Sequence, residues 1–207
     1  MPALRAVTVY AASSRRAPAD QLALATELGR GLAARGWTLV YGGARIGLMG
    51  ALADGALAAG GRVEGVILDT FARVAHASLH FLETVGDMRS RKAGLAHRGD
   101  AYVVLPGGFG TLEELSEILV ERQLGFHAKP LVLVNYLGFW DPLLALIERQ
   151  IRDGLVHDGY RDLLVVVPDV AATLAVLDEY ERAPEPAIEV DLVKLEGGPP
   201  AGGGEHG

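Results

Sequence analysis
The feature that most constrains this chain is a glycine-rich turn set between an apolar run and an amphipathic one. Ala101, Tyr102, Val103 and Val104 read as a buried parallel strand, and Leu115, Ile118, Leu119 and Leu124 recur at the spacing of a helix with one apolar face. Between them stands Leu105-Pro106-Gly107-Gly108-Phe109-Gly110-Thr111-Leu112-Glu113-Glu114. A turn of this kind leaves backbone N–H groups and the positive end of a helix dipole facing outward, a place that binds anions and phosphate above all. Without a β-carbon, glycine lets the anion touch the backbone. Thr111 followed three residues later by Glu114 also reads as a capping box, which would satisfy the first N–H groups of the helix. A cap alone does not need three glycines in the four residues before it, so a phosphate-bearing ligand is the fuller reading.

The rest of the chain repeats the same alternation. Strands are expected over 5–10, 37–41, 62–68, 81–85, 101–104, 131–134 and 163–167, and helices over 20–35, 48–59, 87–99, 141–152 and 170–182, besides the one after the central turn. Residues 69–80 carry no clear period. Strands alternating with helices mean a Rossmann-like, doubly wound parallel α/β sheet in a single domain, 1–182. From residue 183 the composition turns to Pro, Glu and Gly, so 183–207 is expected to be a flexible tail. No internal repeat is present.

A second glycine-rich turn, Gly42-Gly43-Ala44-Arg45-Ile46-Gly47-Leu48-Met49-Gly50, also follows a strand. Its spacing is not the G-x-G-x-x-G of dinucleotide folds, which argues against a nicotinamide-dependent dehydrogenase. Two such turns fall on one edge of a parallel sheet, where ligands bind. Ser13 and Ser14 follow the first strand at the same edge, where they either cap the next helix or meet the ligand.

Composition narrows the partner. The net charge of −7 argues against a nucleic-acid backbone or an anionic membrane, and the absence of cysteine removes disulfides, thiolate metal sites and thiol nucleophiles. With 50% hydrophobic residues, no signal-peptide pattern and no spanning apolar run, a soluble cytoplasmic protein is expected. His76 and His80 lie four apart with no acidic or thiol companion nearby in sequence, so they read as surface histidines rather than metal ligands. Arg89, Arg91, Lys92, His97 and Arg98 form the densest basic cluster. Arg91 and Lys92 fall in the first half of their helix, where the dipole disfavours cations, so another anion is expected to hold them.

These residues resemble the LOG-type cytokinin riboside 5′-monophosphate phosphoribohydrolases, a family often mislabelled lysine decarboxylases. Its signature P-G-G-x-G-T-x-x-E is matched by Pro106, Gly107, Gly108, Gly110, Thr111 and Glu114, and its M-H-x-R-K by Met88, Arg89, Ser90, Arg91 and Lys92. The similarity runs through Gly42-Gly43, Gly47-Leu48-Met49-Gly50 and Gln123-Leu124-Gly125, from residue 5 to about 180. The resemblance implies hydrolysis of the N-glycosidic bond of a nucleoside 5′-monophosphate, usually an N6-isoprenoid adenosine monophosphate or AMP. It implies Arg91 and Glu114 as the catalytic pair, and substrate contacts from Ser14, Gly43, Met49, Lys92, Gly107, Gly108, Gly110, Thr111 and Glu113. It implies no organic cofactor and no metal, and a homodimer or larger homo-oligomer. Arg89 stands where the family has His, Ala44 replaces a third glycine, and Leu68 stands where Pro is usual, all near where the base would sit.

The residues allow the same chemistry. Amides of Gly108 to Thr111 would seat the phosphate, and Glu114, with Glu113 second, would ease the cationic sugar or polarise water. Arg91 stays charged and would hold the phosphate or orient the acid. A non-catalytic nucleotide or cofactor carrier of the same fold is the alternative. A pyridoxal-dependent decarboxylase has no support, since Lys92 is already accounted for.

Overall fold
The computed structural model describes residues 5–182. The tail expected over 183–207 lies outside the described residues. Within them the chain runs β1 (Ala6–Tyr10), α1 (Ala19–Ala34), β2 (Thr38–Tyr41), α2 (Gly47–Ala58), β3 (Val63–Leu68), β4 (Phe81–Val85), α3 (Met88–Arg98), β5 (Ala101–Val104), α4 (Phe109–Gln123), β6 (Leu131–Val134), α5 (Asp141–Arg152), β7 (Val165–Val167) and α6 (Val170–Arg182). All strand pairs are parallel, in the order β4-β3-β2-β1-β5-β6-β7.

Parallel strands covered on both faces read as unbroken apolar runs, and β5 (AYVV) and β6 (LVLV) are buried at every position. One face of the sheet packs against α1, α2 and α6 through Leu28, Leu32, Leu52 and Leu177. The other packs against α3, α4 and α5 through Leu95, Leu115, Ile118 and Leu144. Each fully buried leucine contributes about 2 kcal/mol by removal from water. The helices α1 and α2 approach to backbone contact, because a β-carbon on Gly29 would collide with the Leu52 carbonyl and one on Gly55 with that of Thr26.

β1 pairs with β2 on one side and β5 on the other, so the connections leaving β1 and β5 depart to opposite faces. That switch point opens a crevice at the carboxyl ends of the two central strands. The chain between β3 and β4, unreadable by period, forms a 3₁₀ helix over Asp69–Val74 with no buried residue. The last strand starts at Val165, two residues later than expected, because Asp158–Leu163 first closes another 3₁₀ turn.

Candidate active site
The crevice holds a cavity of about 450 Å³, a volume suited to a small-molecule ligand. Its polar floor comes from α4, which starts at the switch point after β5, and from α3, which follows the edge strand β4. On α4, Glu114 is only 4% exposed, and on α3 Arg91 is 9% exposed. The Arg91 Nη1 donates to Glu114 Oε1 over 2.9 Å. Burial pushes the Glu114 carboxyl above the usual carboxylate range, although the charge and hydrogen bond of Arg91 pull it down. Breaking such a buried pair costs several kcal/mol, about 3–5, whereas the pair itself adds little to stability. A buried ion pair on the floor of a cavity is thus a candidate for chemistry more than a device for folding.

Local sequence sets this geometry. Asp87 caps α3, accepting from the Ser90 N–H at 2.9 Å and the Ser90 hydroxyl at 2.7 Å. These bonds hold the Asp87 carboxyl below its ordinary value. With the helix start fixed there, Arg91 turns toward the cavity while Arg89 stays exposed. Gly42, at the end of β2, leaves the room that Arg91 uses: a β-carbon there would collide with Arg91 Nη2 and lie 3.0 Å from the Met49 methyl.

The glycine-rich turn runs directly into the start of α4. Its N-cap is Gly108, with no side-chain cap. Among the described residues the amides of Phe109, Gly110 and Thr111 find no acceptor; the first amide that does is that of Leu112, on the Gly108 carbonyl. A β-carbon on Gly108 or Gly110 would meet nothing within 4 Å, so neither glycine is required by packing. Gly107 differs, since its missing side chain makes room for Thr111.

The capping box is therefore corrected. The helix begins at Phe109, which places Thr111 as its third residue with no cap bond and turns Glu114 inward to Arg91. The capping role for Ser13 and Ser14 is corrected as well: α1 starts after Pro18 with no side-chain cap, and both serines line the cavity. The Ser14 hydroxyl accepts from the Arg16 N–H at 3.2 Å.

Of the other residues singled out by sequence, Ser14, Met49, Arg91, Gly108, Gly110, Thr111 and Glu114 meet around the cavity. Gly43, Gly107, Lys92 and Glu113 do not line it. Lys92 is held by Glu113 at 2.9 Å and Glu117 at 3.3 Å on the flank of α4, so the anions that hold the two cations of α3 are carboxylates. Gly43 sits in the left-handed region at φ +76°, where the turn after β2 passes under Ile67 and Leu82. His76 is corrected from a surface residue to a half-buried one bonded to Asp54, while His80 is exposed and accepts from the Val63 N–H.

Sequence reasoning missed the apolar wall. Ile46, Ile67, Leu68, Phe71, Val74, Met88 and Phe109 also line the cavity and supply apolar surface beside the polar floor. Phe109, 92% exposed as the first residue of α4 and set among glycines, is the one residue whose type alone could have marked it. None of these side chains carries a strong hydrogen-bonding group, so the cavity joins open backbone amides and a buried acid to apolar surface.

A family model described as possible lysine decarboxylase matches residues 49–177. A protein of Oryza sativa subsp. japonica named probable cytokinin riboside 5′-monophosphate phosphoribohydrolase is 42% identical over 178 residues, 85% of this chain and 78% of that one. The cytokinin riboside 5′-monophosphate phosphoribohydrolase of Rhodococcoides fascians is 41% identical over 179 residues, 85% of this chain and 90% of that one. Among solved structures, the molybdenum cofactor carrier protein of Chlamydomonas reinhardtii matches with a TM-score of 0.68 at 23% identity, over 87% of this chain and 99% of that one, a likeness of fold alone. By its matched model, its relatives and the signature residues gathered at one cavity, the chain belongs to the LOG family.

Proposed function
We propose that the chain hydrolyses the N-glycosidic bond of a nucleoside 5′-monophosphate, releasing the free base and ribose 5-phosphate. The observation that carries this reading is the uncapped start of α4, opening onto a cavity whose floor is the buried Arg91–Glu114 pair. The names of the relatives at 41–42% identity support the same reaction.

The 5′-phosphate sits on the amides of Phe109, Gly110 and Thr111, with the Thr111 hydroxyl beside them, and these fixed dipoles need no rearrangement to hold it. Anchoring the phosphate fixes the ribose and makes attack at C1′ effectively intramolecular. As the C1′–N bond breaks, its electron pair leaves with the base and the sugar becomes cationic, as in glycoside hydrolysis. Glu114 in its ionised form stabilises that cation and takes a proton from the water whose oxygen bonds to C1′. The departing base gains one proton, so the reaction is balanced by a single water. Arg91 stays charged and fixes the orientation of Glu114. The base lies against the apolar wall, which suits adenine with or without an apolar N6 substituent; AMP and N6-isoprenoid adenosine monophosphates are the substrates we assign.

A pyridoxal-dependent decarboxylase needs a lysine at the cofactor. Among the described residues no lysine lines the cavity, and Lys92 and Lys129 are bonded elsewhere, so the described site does not fit that group. The same reading makes the molecule a cytoplasmic homodimer or larger homo-oligomer; exposed Phe109, Val120 and Phe126, on or just after α4, supply apolar surface for a second copy. No described helix is long and apolar enough to cross a membrane, and the net charge of −7 disfavours nucleic acid. Incubation with AMP and with N6-isopentenyladenosine monophosphate tests the function. Equal amounts of free base and ribose 5-phosphate are expected; tight binding of either nucleotide without release of base would replace the enzyme by a carrier.

A further inference from the structure
The apolar wall is built in part from a segment that buries no residue of its own. Asp69–Val74 has no buried residue, yet it brings Phe71 and Val74 to the cavity. Its backbone is stitched to the turn after β2: the Arg45 N–H donates to the Val74 carbonyl at 2.9 Å, and the His76 N–H to the Gly43 carbonyl at 2.9 Å, around an antiparallel bridge between Ala44 and Ala75. Among the described residues one side-chain pair ties this strap to α2. His76 Nε2 lies 3.0 Å from Asp54 Oδ1. The Ser78 N–H donates to His76 Nδ1 at 3.2 Å, which makes Nδ1 the acceptor and leaves the proton on Nε2 to donate to Asp54. The imidazole is 10% exposed and the carboxylate 71% exposed.

The helix at the other end of this bond also builds the cavity. Ile46, the N-cap of α2, and Met49 in its first turn line the same cavity as Phe71 and Val74. The bond from His76 to Asp54 thus fixes the spacing between two parts of one apolar surface. Because Asp54 is mostly in water, the bond adds little to global stability. Its effect is local, on a segment that buries no side chain and is otherwise held by backbone bonds.

Resting on the proposed hydrolysis, we propose that His76 is a positioning residue that sets the apolar wall through Asp54 and so determines how well the site grips an apolar substituent on the base. Plain AMP leaves much of that wall uncovered and depends on it little. A nucleotide with an N6-isopentenyl group reaches it and depends on it more.

The test compares wild type, His76→Ala, Asp54→Ala, Asp54→Asn and the double alanine variant on both nucleotides, with hydrogen–deuterium exchange at 74–76 measured on every protein. His76→Ala and Asp54→Ala are each expected to raise KM for the isopentenyl nucleotide about fivefold, with kcat and the AMP constants within about twofold. The double variant should be no worse than either single one, because both remove the same bond. Asp54→Asn keeps an acceptor and should behave as wild type. Exchange at Val74 to His76 should quicken about tenfold in the alanine variants. Equal losses on both nucleotides, a silent Asp54→Ala, additive effects, or unchanged exchange would each overturn the role. Should His76→Ala fail to fold, Asp54→Ala on the exposed face of α2 still gives the answer. If wild type cleaves neither nucleotide, the proposed function fails, and the exchange rates alone decide whether the pair holds the wall.

Discussion
Replacing Gly110 by alanine separates a functional glycine from a structural one. Gly110 is the second residue of α4, lines the cavity and has no positive φ. A β-carbon there would meet nothing within 4 Å. Alanine is therefore the better residue for folding: it removes backbone entropy from the unfolded chain and has the higher helix propensity, a gain of about 0.5–1 kcal/mol. For a chain of this size that raises Tm by roughly 1–4 °C. The new methyl would stand in open space at a residue that lines the cavity, next in sequence to Phe109 and Thr111, whose amides the proposed phosphate uses. It would cost one or two charge-assisted hydrogen bonds to the phosphate, each about 1.5–3 kcal/mol. At about 1.4 kcal/mol per decade, kcat/KM on AMP should fall by roughly 10²-fold. Differential scanning calorimetry and a base-release assay on one preparation read both effects. A more stable but poorly active protein is the expected result. Wild-type kcat/KM would refute the use of these amides, and a loss of stability alongside activity would make the glycine structural.

Two further perturbations probe the floor. Gly42→Ala introduces a methyl into the space of Arg91 Nη2, so we expect a loss of about 1–3 kcal/mol from crowding and turnover slowed about tenfold or more; chemical denaturation and steady-state kinetics check both. The pH profile should show an acid limb above the ordinary carboxylate range, because burial raises Glu114 and the ionised form does the work. The stability effect has the opposite sense. With its folded pKa raised, Glu114 binds a proton more tightly folded than unfolded, so its contribution is full below the ordinary glutamate pKa and is lost as pH rises through the raised one. Subtracting the Tm–pH curve of Glu114→Gln from that of wild type should isolate this fall, and a flat difference would contradict the shift.

Most of the fold is legible because the same local pattern recurs: short apolar runs, glycine-bearing turns and amphipathic helices. β5, its turn and α4 can be read from residues 101–124 alone, and the switch point follows from parallel topology. What stays hidden is what depends on side-chain direction. Arg91 and Lys92 are neighbours of the same charge, yet one faces the cavity and the other the flank of α4, a choice made by where Asp87 starts α3. Thr111 and Glu114 have the spacing of a capping box, but an N-cap at Gly108, three residues earlier, gives Glu114 to Arg91 instead. The pairing of Arg91 with Glu114 spans 23 positions, and family resemblance carries it where local pattern cannot. The apolar wall draws residues from several separate loops, so no single spacing marks it. His76 reads as a surface histidine because its partner Asp54 lies 22 residues away.

The central claim is that a carboxylate buried below a phosphate cradle performs the cleavage and does not merely hold the fold. Glu114→Gln keeps an acceptor for Arg91 and the shape of the side chain while removing the charge. Calorimetric titration with AMP, followed by a turnover assay on the same sample, is the most direct measurement. The expected result is binding within about threefold of wild type and base release lowered by roughly 10²-fold or more. Undiminished base release, or a folded variant that no longer binds AMP, would contradict it.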